Sequence, residues 1–202
     1  YKRQAQLTFT VTGVNDNDPV AVDDTDTVKR DASITRASGS AFDVDSDDTD
    51  ADSDALTISE VRTGQVEGGG RGGSGKVGTT LKGTYGTLTL NSDGSYTYAA
   101  DQDAANSLKR GDSAIDYFNY TVTDGSRTDT GVLAITVNGI SDPPEPVDDT
   151  LEVDAGATAT KDATKGVLNN DTDPDGDNLT VDSIRTGREN KTGTSGTVGT
   201  AL

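Results

Sequence analysis

The chain has 202 residues, 35 acidic against 17 basic side chains, a formal charge of −18, and no Cys, His, Met or Trp. Those absences exclude the usual zinc ligands, a Ser-His-Asp triad, a thiol nucleophile and any disulfide. The acidic balance disfavours nucleic acid and anionic membrane surfaces, which call for clustered Lys and Arg, and no apolar run approaches the ~20 residues that span a bilayer.

In chain order, Leu7, Phe9 and Val11 alternate with Thr and predict a strand. An acidic junction follows at Asn15-Asp16-Asn17-Asp18-Pro19, then an acidic pair at Asp23-Asp24. Asp43, Asp45 and Asp47 lead into an alternating ladder of Asp48, Asp50, Asp52 and Asp54. Leu56, Ile58 and Val61 change parity midway, which predicts a bulged strand. The stretch Gly70 to Lys76 comes close to a phosphate-binding loop, but Val77 stands where Ser or Thr would be needed, so it reads as an inter-strand loop. Leu88 and Leu90, then Tyr96 and Tyr98, flank Asn91-Ser92-Asp93-Gly94 and predict a hairpin. One helical turn is expected from Asp103 to Leu108, stopped by Gly111. Arg110-Gly111-Asp112 is a tripeptide that integrins read, here placed where the chain must turn. Asn119, Asn178 and Asn190 begin formal glycosylation sequons. Phe118, Tyr120 and Val122 alternate, Asp124-Gly125 turns the chain, and Leu133, Ile135 and Val137 return it. Short strands at this spacing predict an all-β sandwich.

The pattern then starts again. Val22-Asp23-Asp24-Thr25 recurs as Val147-Asp148-Asp149-Thr150, and Asp48 to Asp54 recurs as Asp171, Asp173, Asp175 and Asp177. Val61-Arg62-Thr63-Gly64 recurs as Ile184-Arg185-Thr186-Gly187, and Leu7 to Gly13 matches Leu133 to Gly139. The expected frame is a last strand of one repeat at 1–18, a complete repeat at 19–142, and the first half of another at 143–202. Such a frame is a window cut from a longer array.

The acidic groups demand a physical explanation. Two carboxylates ~5 Å apart repel by about 1 kcal/mol even in water, and hydrophobic residues at 30% with aromatics at 4% leave only a thin core to oppose that. Without disulfides, bound metal is the remaining local staple, and all-oxygen sites favour calcium. The candidate ligands are Asp16, Asp18 and Asp142 at the junctions, Asp23, Asp24, Asp148 and Asp149 in the pairs, and Asp48, Asp50, Asp52, Asp54, Asp171, Asp173, Asp175 and Asp177 in the ladders. The D-x-D-x-D-G-D spacing follows the logic of the first half of an EF-hand loop, with Gly176 at the sharp turn, though no Glu stands twelfth. The competing reading is turn formation and solubilising charge. Extracellular modules bind calcium at ~10⁻⁴–10⁻³ M, so the chain is expected to stiffen on export. Paired carboxylates crowded in short loops beside turn glycines suit metal better than glycosidase chemistry, and no enzyme is expected.

The run Gly83-Thr84-Tyr85-Gly86-Thr87-Leu88-Thr89-Leu90-Asn91-Ser92-Asp93-Gly94-Ser95-Tyr96-Thr97-Tyr98, with Tyr117 to Gly125, resembles a VCBS repeat. Asn170 to Asp177 is similar to the acidic loop of VCBS and related bacterial cadherin-like repeats of large RTX-type surface adhesins. The resemblance implies tandem Ig- or cadherin-like sandwiches, type I secretion to the cell surface or beyond, and a role in adhesion or biofilm. It also implies calcium that rigidifies the junctions. On that basis the chain is expected to be an extender or adhesive module whose partners are neighbouring repeats. The alternatives are a self-assembling surface-layer or filament subunit with lateral self-association, and a non-catalytic spacer beside a secreted enzyme domain. The resemblance leaves the ligand, carbohydrate or protein, open. At Ala51 and Ser53 the first ladder departs from Pro174 and Gly176 of the second.

Overall fold

The computed structural model describes residues 7–9, 13–39, 44, 46–65, 72–162, 164–187, 195–196 and 198. The chain divides into two units, Tyr1–Ile140 and Ser141–Leu202.

The first unit is a two-sheet β-sandwich. Its strands are β1 (Asp24–Lys29), β2 (Ser33–Arg36), β3 (Thr57–Thr63), β4 (Ser74–Gly75), β5 (Thr80–Lys82), β6 (Thr87–Leu90), β7 (Tyr96–Ala99), β8 (Ser113–Thr123) and β9 (Thr128–Asn138). One sheet runs β1-β9-β8-β3-β4 and the other β2-β7-β6-β5. Alternation works as the sequence suggests. Phe118, Tyr120 and Val122 of β8 and Leu133, Ile135 and Val137 of β9 point inward, against Leu88, Leu90, Tyr96 and Tyr98 of the facing sheet. Tyr98 and Phe118 meet edge to face, with centroids 6.0 Å apart, a favoured aromatic geometry.

The expected hairpin joins β6 to β7. Leu90 pairs with Tyr96, and Gly94 takes φ 77°, a left-handed turn conformation that favours glycine. The expected bulge lies in β3, whose register against β8 slips between Ile58 and Glu60. Ser59, the extra residue, bonds through its hydroxyl to the Thr121 carbonyl. The helical turn spans Asp103–Asn106, and Gly111 turns the chain after it at φ 93°. The sequon residue Asn119 is buried and donates to the Gly64 carbonyl at 2.7 Å. Gly70 and Arg71 of the glycine-rich stretch lie outside the described residues, while Ser74 and Gly75 form β4.

Two features have no local sequence signature. β1 lies parallel to β9, pairing Asp24 with Leu133 through Lys29 with Asn138. Asp116 of β8 is buried at 3% exposure, where an ion needs several donors. It accepts the N–H groups of Thr84, Tyr85 and Gly86 at 3.0–3.1 Å and the Tyr98 hydroxyl at 3.0 Å. A methyl on Gly83 would overlap that carboxylate, and one on Gly86 would overlap the Tyr98 ring and the Ala99 carbonyl. The Gly-Thr-Tyr-Gly motif is thus a backbone cradle for a buried anion.

In the second unit, β10 (Ile184–Arg185) pairs with β11 (Ser195–Gly196). The stretch 149–154, matching β1, forms no strand, and Val153 is 54% exposed where its counterpart Val28 is 4% exposed. In the first unit β1 is held by β9 and β3 by β8, and among the described residues of the second unit no strand takes the part of β8 or β9 in supplying those hydrogen bonds. For the same reason Leu179 and Val181 lie outside any strand. Of the strand expected near the start, Leu7 to Phe9 are exposed and irregular, and residues 10–12 lie outside the described residues.

Candidate metal centre

The ladder folds in two parts. Its first member turns away to hold the preceding acidic-pair segment: Asp48 accepts the Val22 N–H at 2.7 Å, and Asp171 accepts the Val147 N–H at 2.8 Å. The remaining three converge. Oxygens of Asp50, Asp52 and Asp54 lie within 4.8 Å of one another, as do those of Asp173, Asp175 and Asp177.

Local hydrogen bonds fix each turn. Asp50 Oδ1 accepts the N–H groups of Asp52 and Asp54 at 2.8 and 3.2 Å, and Asp173 Oδ1 accepts those of Asp175 and Asp177 at 2.9 and 3.2 Å. The bend residue is left-handed in both, Ser53 at φ 64° and Gly176 at φ 79°. The departure at Ala51 and Ser53 therefore leaves the loop geometry intact, at the cost of a non-glycine residue in a strained region.

The junction closes onto this loop. Asp52 Oδ2 accepts the N–H groups of Asp16 and Asn17, each at 3.0 Å, and its Oδ1 accepts the Asn17 amide at 2.9 Å. These bonds hold the Asp52 carboxyl below the usual carboxylate range. A bridge between Val20 and Thr49 extends the contact. The second unit repeats the arrangement: Asp175 Oδ2 accepts the Asp142 N–H at 2.5 Å, and Glu145 bridges Thr172. Junction and ladder, read separately from sequence, form one cluster in each unit.

Asp18 is exposed and ion-paired to Arg127 Nη1 at 2.6 Å. Asp124, which the sequence offered only as a hairpin turn, belongs to the same end. Its Oδ1 accepts the N–H groups of Ser126 and Arg127, which hold its carboxyl below the usual range, and its carboxylate also meets the Asn15 side chain. Among the described residues, Asn15 Oδ1, Asp50 Oδ2 and Asp124 Oδ2 are buried oxygens without a hydrogen-bond partner. Buried acceptors lacking donors are costly, and an oxygen-seeking cation relieves that cost. The donor set therefore fits a hard metal ion.

The acidic pairs behave differently in the two units. Asp23 Oδ1 accepts the Val132 N–H at 2.9 Å. Asp24 is half-buried, and the Tyr120 hydroxyl lies 2.6 Å from the Val22 carbonyl, 2.9 Å from Asp24 and 3.5 Å from Asp48. Burial pushes the Asp24 carboxyl up to about 7, against the lowering pull of the Tyr120 bond and with help from Asp47, Asp48 and Asp23. Asp23 and Asp24 border a shallow groove of ≈ 730 Å³ that Gln65, Tyr117 and Val132 also line. Asp148 and Asp149 are exposed on the irregular stretch of the second unit.

The fold and its acidic loops define a two-sheet β-sandwich module, and comparison with known proteins identifies it further. Residues 15–139 match the bacterial cadherin-like domain, and the chain belongs to that family. It is similar to the calcium-binding lectin RapA2 of Rhizobium johnstonii, 35% identical over 106 residues, which cover 51% of this chain and 42% of the lectin. The chain thus spans less than half the length of that relative. An endo-fucoidan hydrolase of glycoside hydrolase family 107 aligns with 64% of this chain and 15% of its own at 19% identity and a TM-score of 0.31, too distant to bear on function. Among the described residues no helix is long and apolar enough to cross a membrane.

Proposed function

We propose that the chain is a calcium-stiffened, non-catalytic module of a bacterial surface or secreted adhesin, with its units arranged as tandem repeats. One observation carries this reading. In both units a ladder carboxylate, Asp52 or Asp175, bonds the backbone of the junction leading into that unit. An ion drawn among Asp50, Asp52 and Asp54 fixes Asp52, and Asp52 fixes the junction. Filling the site then converts a flexible connection into a set one, which suits an extender exposed to millimolar calcium outside the cell. The calcium-binding lectin relative supports the choice of ion.

Small-angle scattering of the chain in calcium and in EDTA tests the reading. The expected result is a narrower, longer distance distribution with calcium, lost in Asp52→Asn. Identical profiles in the two buffers count against it. A surface-layer role would instead produce ordered lattices or fibres in electron micrographs.

A second reading, glycan binding, is favoured by the groove beside Asp23 and Asp24, where the Tyr117 ring and the Gln65 amide offer a stacking face and polar contacts. Loss of binding on a glycan array in Tyr117→Ala, with melting unchanged, is its signature.

A further inference from the structure

We propose that Arg127 is a tethered counter-ion for the junction cluster, occupying the electrostatic place of the metal and setting how weakly the site binds it. This rests on the metal-centre reading above. Arg127 Nη1 donates to Asp18 at 2.6 Å, and the guanidinium charge also acts on Asp16, Asp52 and Asp124. Two of the buried oxygens without donors, on Asn15 and Asp124, belong to side chains that meet beside Arg127, and the third, on Asp50, lies in the loop that Asp52 ties to Asp16 and Asn17. A guanidinium stays charged at any working pH, so it offsets the mutual repulsion of these carboxylates when no metal is present.

The pair is built to yield. Its side chains are 41% and 71% exposed, and exposed pairs are weak. The contrast is Arg36, whose two nitrogens each reach Asp26 at 2.7 Å while Tyr96 also donates to that carboxylate at 2.7 Å, away from any ladder. That arrangement is a structural tie, whereas Arg127 hangs at the edge of its cluster by one bond from a hairpin loop. A divalent ion that enters must displace Arg127 from Asp18 or tolerate its charge, and either lowers metal affinity. The site then fills only at high calcium, and the cluster stays folded when it is empty.

Calorimetric titration of calcium chloride into the full chain tests this, in a background where Asp173→Asn and Asp177→Asn silence the second unit's ladder. Arg127→Gln is expected to bind calcium roughly 3–10-fold more tightly than the parent, with a lower melting temperature in EDTA. Arg127→Lys, which keeps the charge, is expected to stay near the parent. Equal or weaker binding by Arg127→Gln overturns the proposal while leaving the metal site standing. No binding by any form, parent included, overturns both. Because the Arg127 side chain is exposed, Arg127→Gln is expected to remain folded, which tyrosine circular dichroism verifies.

Discussion

Asp50→Asn separates the two jobs that Asp50 performs. The amide keeps a carbonyl oxygen where Oδ1 accepts the Asp52 and Asp54 N–H groups at 2.8 and 3.2 Å, so the turn survives. It removes the charge and puts N–H donors in place of Oδ2, the buried oxygen without a partner. A site filled at ten times its Kd adds about 1.4 kcal/mol to folding. The family match spans residues 15–139, and an unfolding entropy of about 2.1 cal/mol/K per residue gives a module of that length about 0.26 kcal/mol per degree. One site is therefore worth about 5 °C in Tm. The six tyrosines, of which Tyr120 is the last, all lie before residue 121. Near-ultraviolet circular dichroism of tyrosine therefore follows the first unit alone. The parent should gain about 5 °C between EDTA and calcium, and Asp50→Asn less than about 2 °C. Equal gains in both proteins, or none in the parent, refute the assignment of Asp50.

Three further outcomes are expected. The folded-state value of about 7 for Asp24 lies above its ordinary value of 3.8, so the native state holds a proton that the unfolded chain releases. That contribution is fully present below pH 3.8, falls as pH rises to about 7 and is gone above it; melting in EDTA across pH 4.5–8 should show a downward slope that Asp24→Asn removes. Ser53→Gly relieves the left-handed strain at φ 64° and should stabilise the first unit by about 1 kcal/mol, measured by urea unfolding. Asp116→Ala strips the partner from three backbone N–H groups and the Tyr98 hydroxyl. It should cost about 3–5 kcal/mol, enough to leave the unit largely unfolded at 37 °C in the same titration.

Local chemistry was readable from the sequence, and long-range pairing was not. The hairpin at Asn91–Gly94 and the bulge at Ser59 rest on turn residues and parity, which a few neighbours decide. The convergence of Asp50, Asp52 and Asp54 follows from alternate spacing on one tight loop. Asp116 escaped notice because its donors come from residues 84–86 and 98, and only the paired glycines at 83 and 86 hinted that something large lay against the backbone there. Asp124 passed as a hairpin-turn residue, and Arg127 carried no sequence reading, for the same reason: their partners, Asn15 and Asp18, are more than 100 residues away. The division within the ladder, with Asp48 held by Val22, likewise needs the tertiary fold.

The parallel pairing of β1 with β9 has a mechanical consequence. The strand nearest the junction and the last strand of the first unit lie side by side and run the same way, over six paired positions from Asp24–Leu133 to Lys29–Asn138. Tension entering before Asp24 and leaving after Asn138 pulls the two strands lengthwise past each other. Their hydrogen bonds are then strained together and must fail as a group, whereas an antiparallel hairpin pulled from its open end unzips one bond at a time. The Asp52 clamp on Asp16 and Asn17 stands just upstream of this shear-loaded pair, where a drag force on the chain would first be felt.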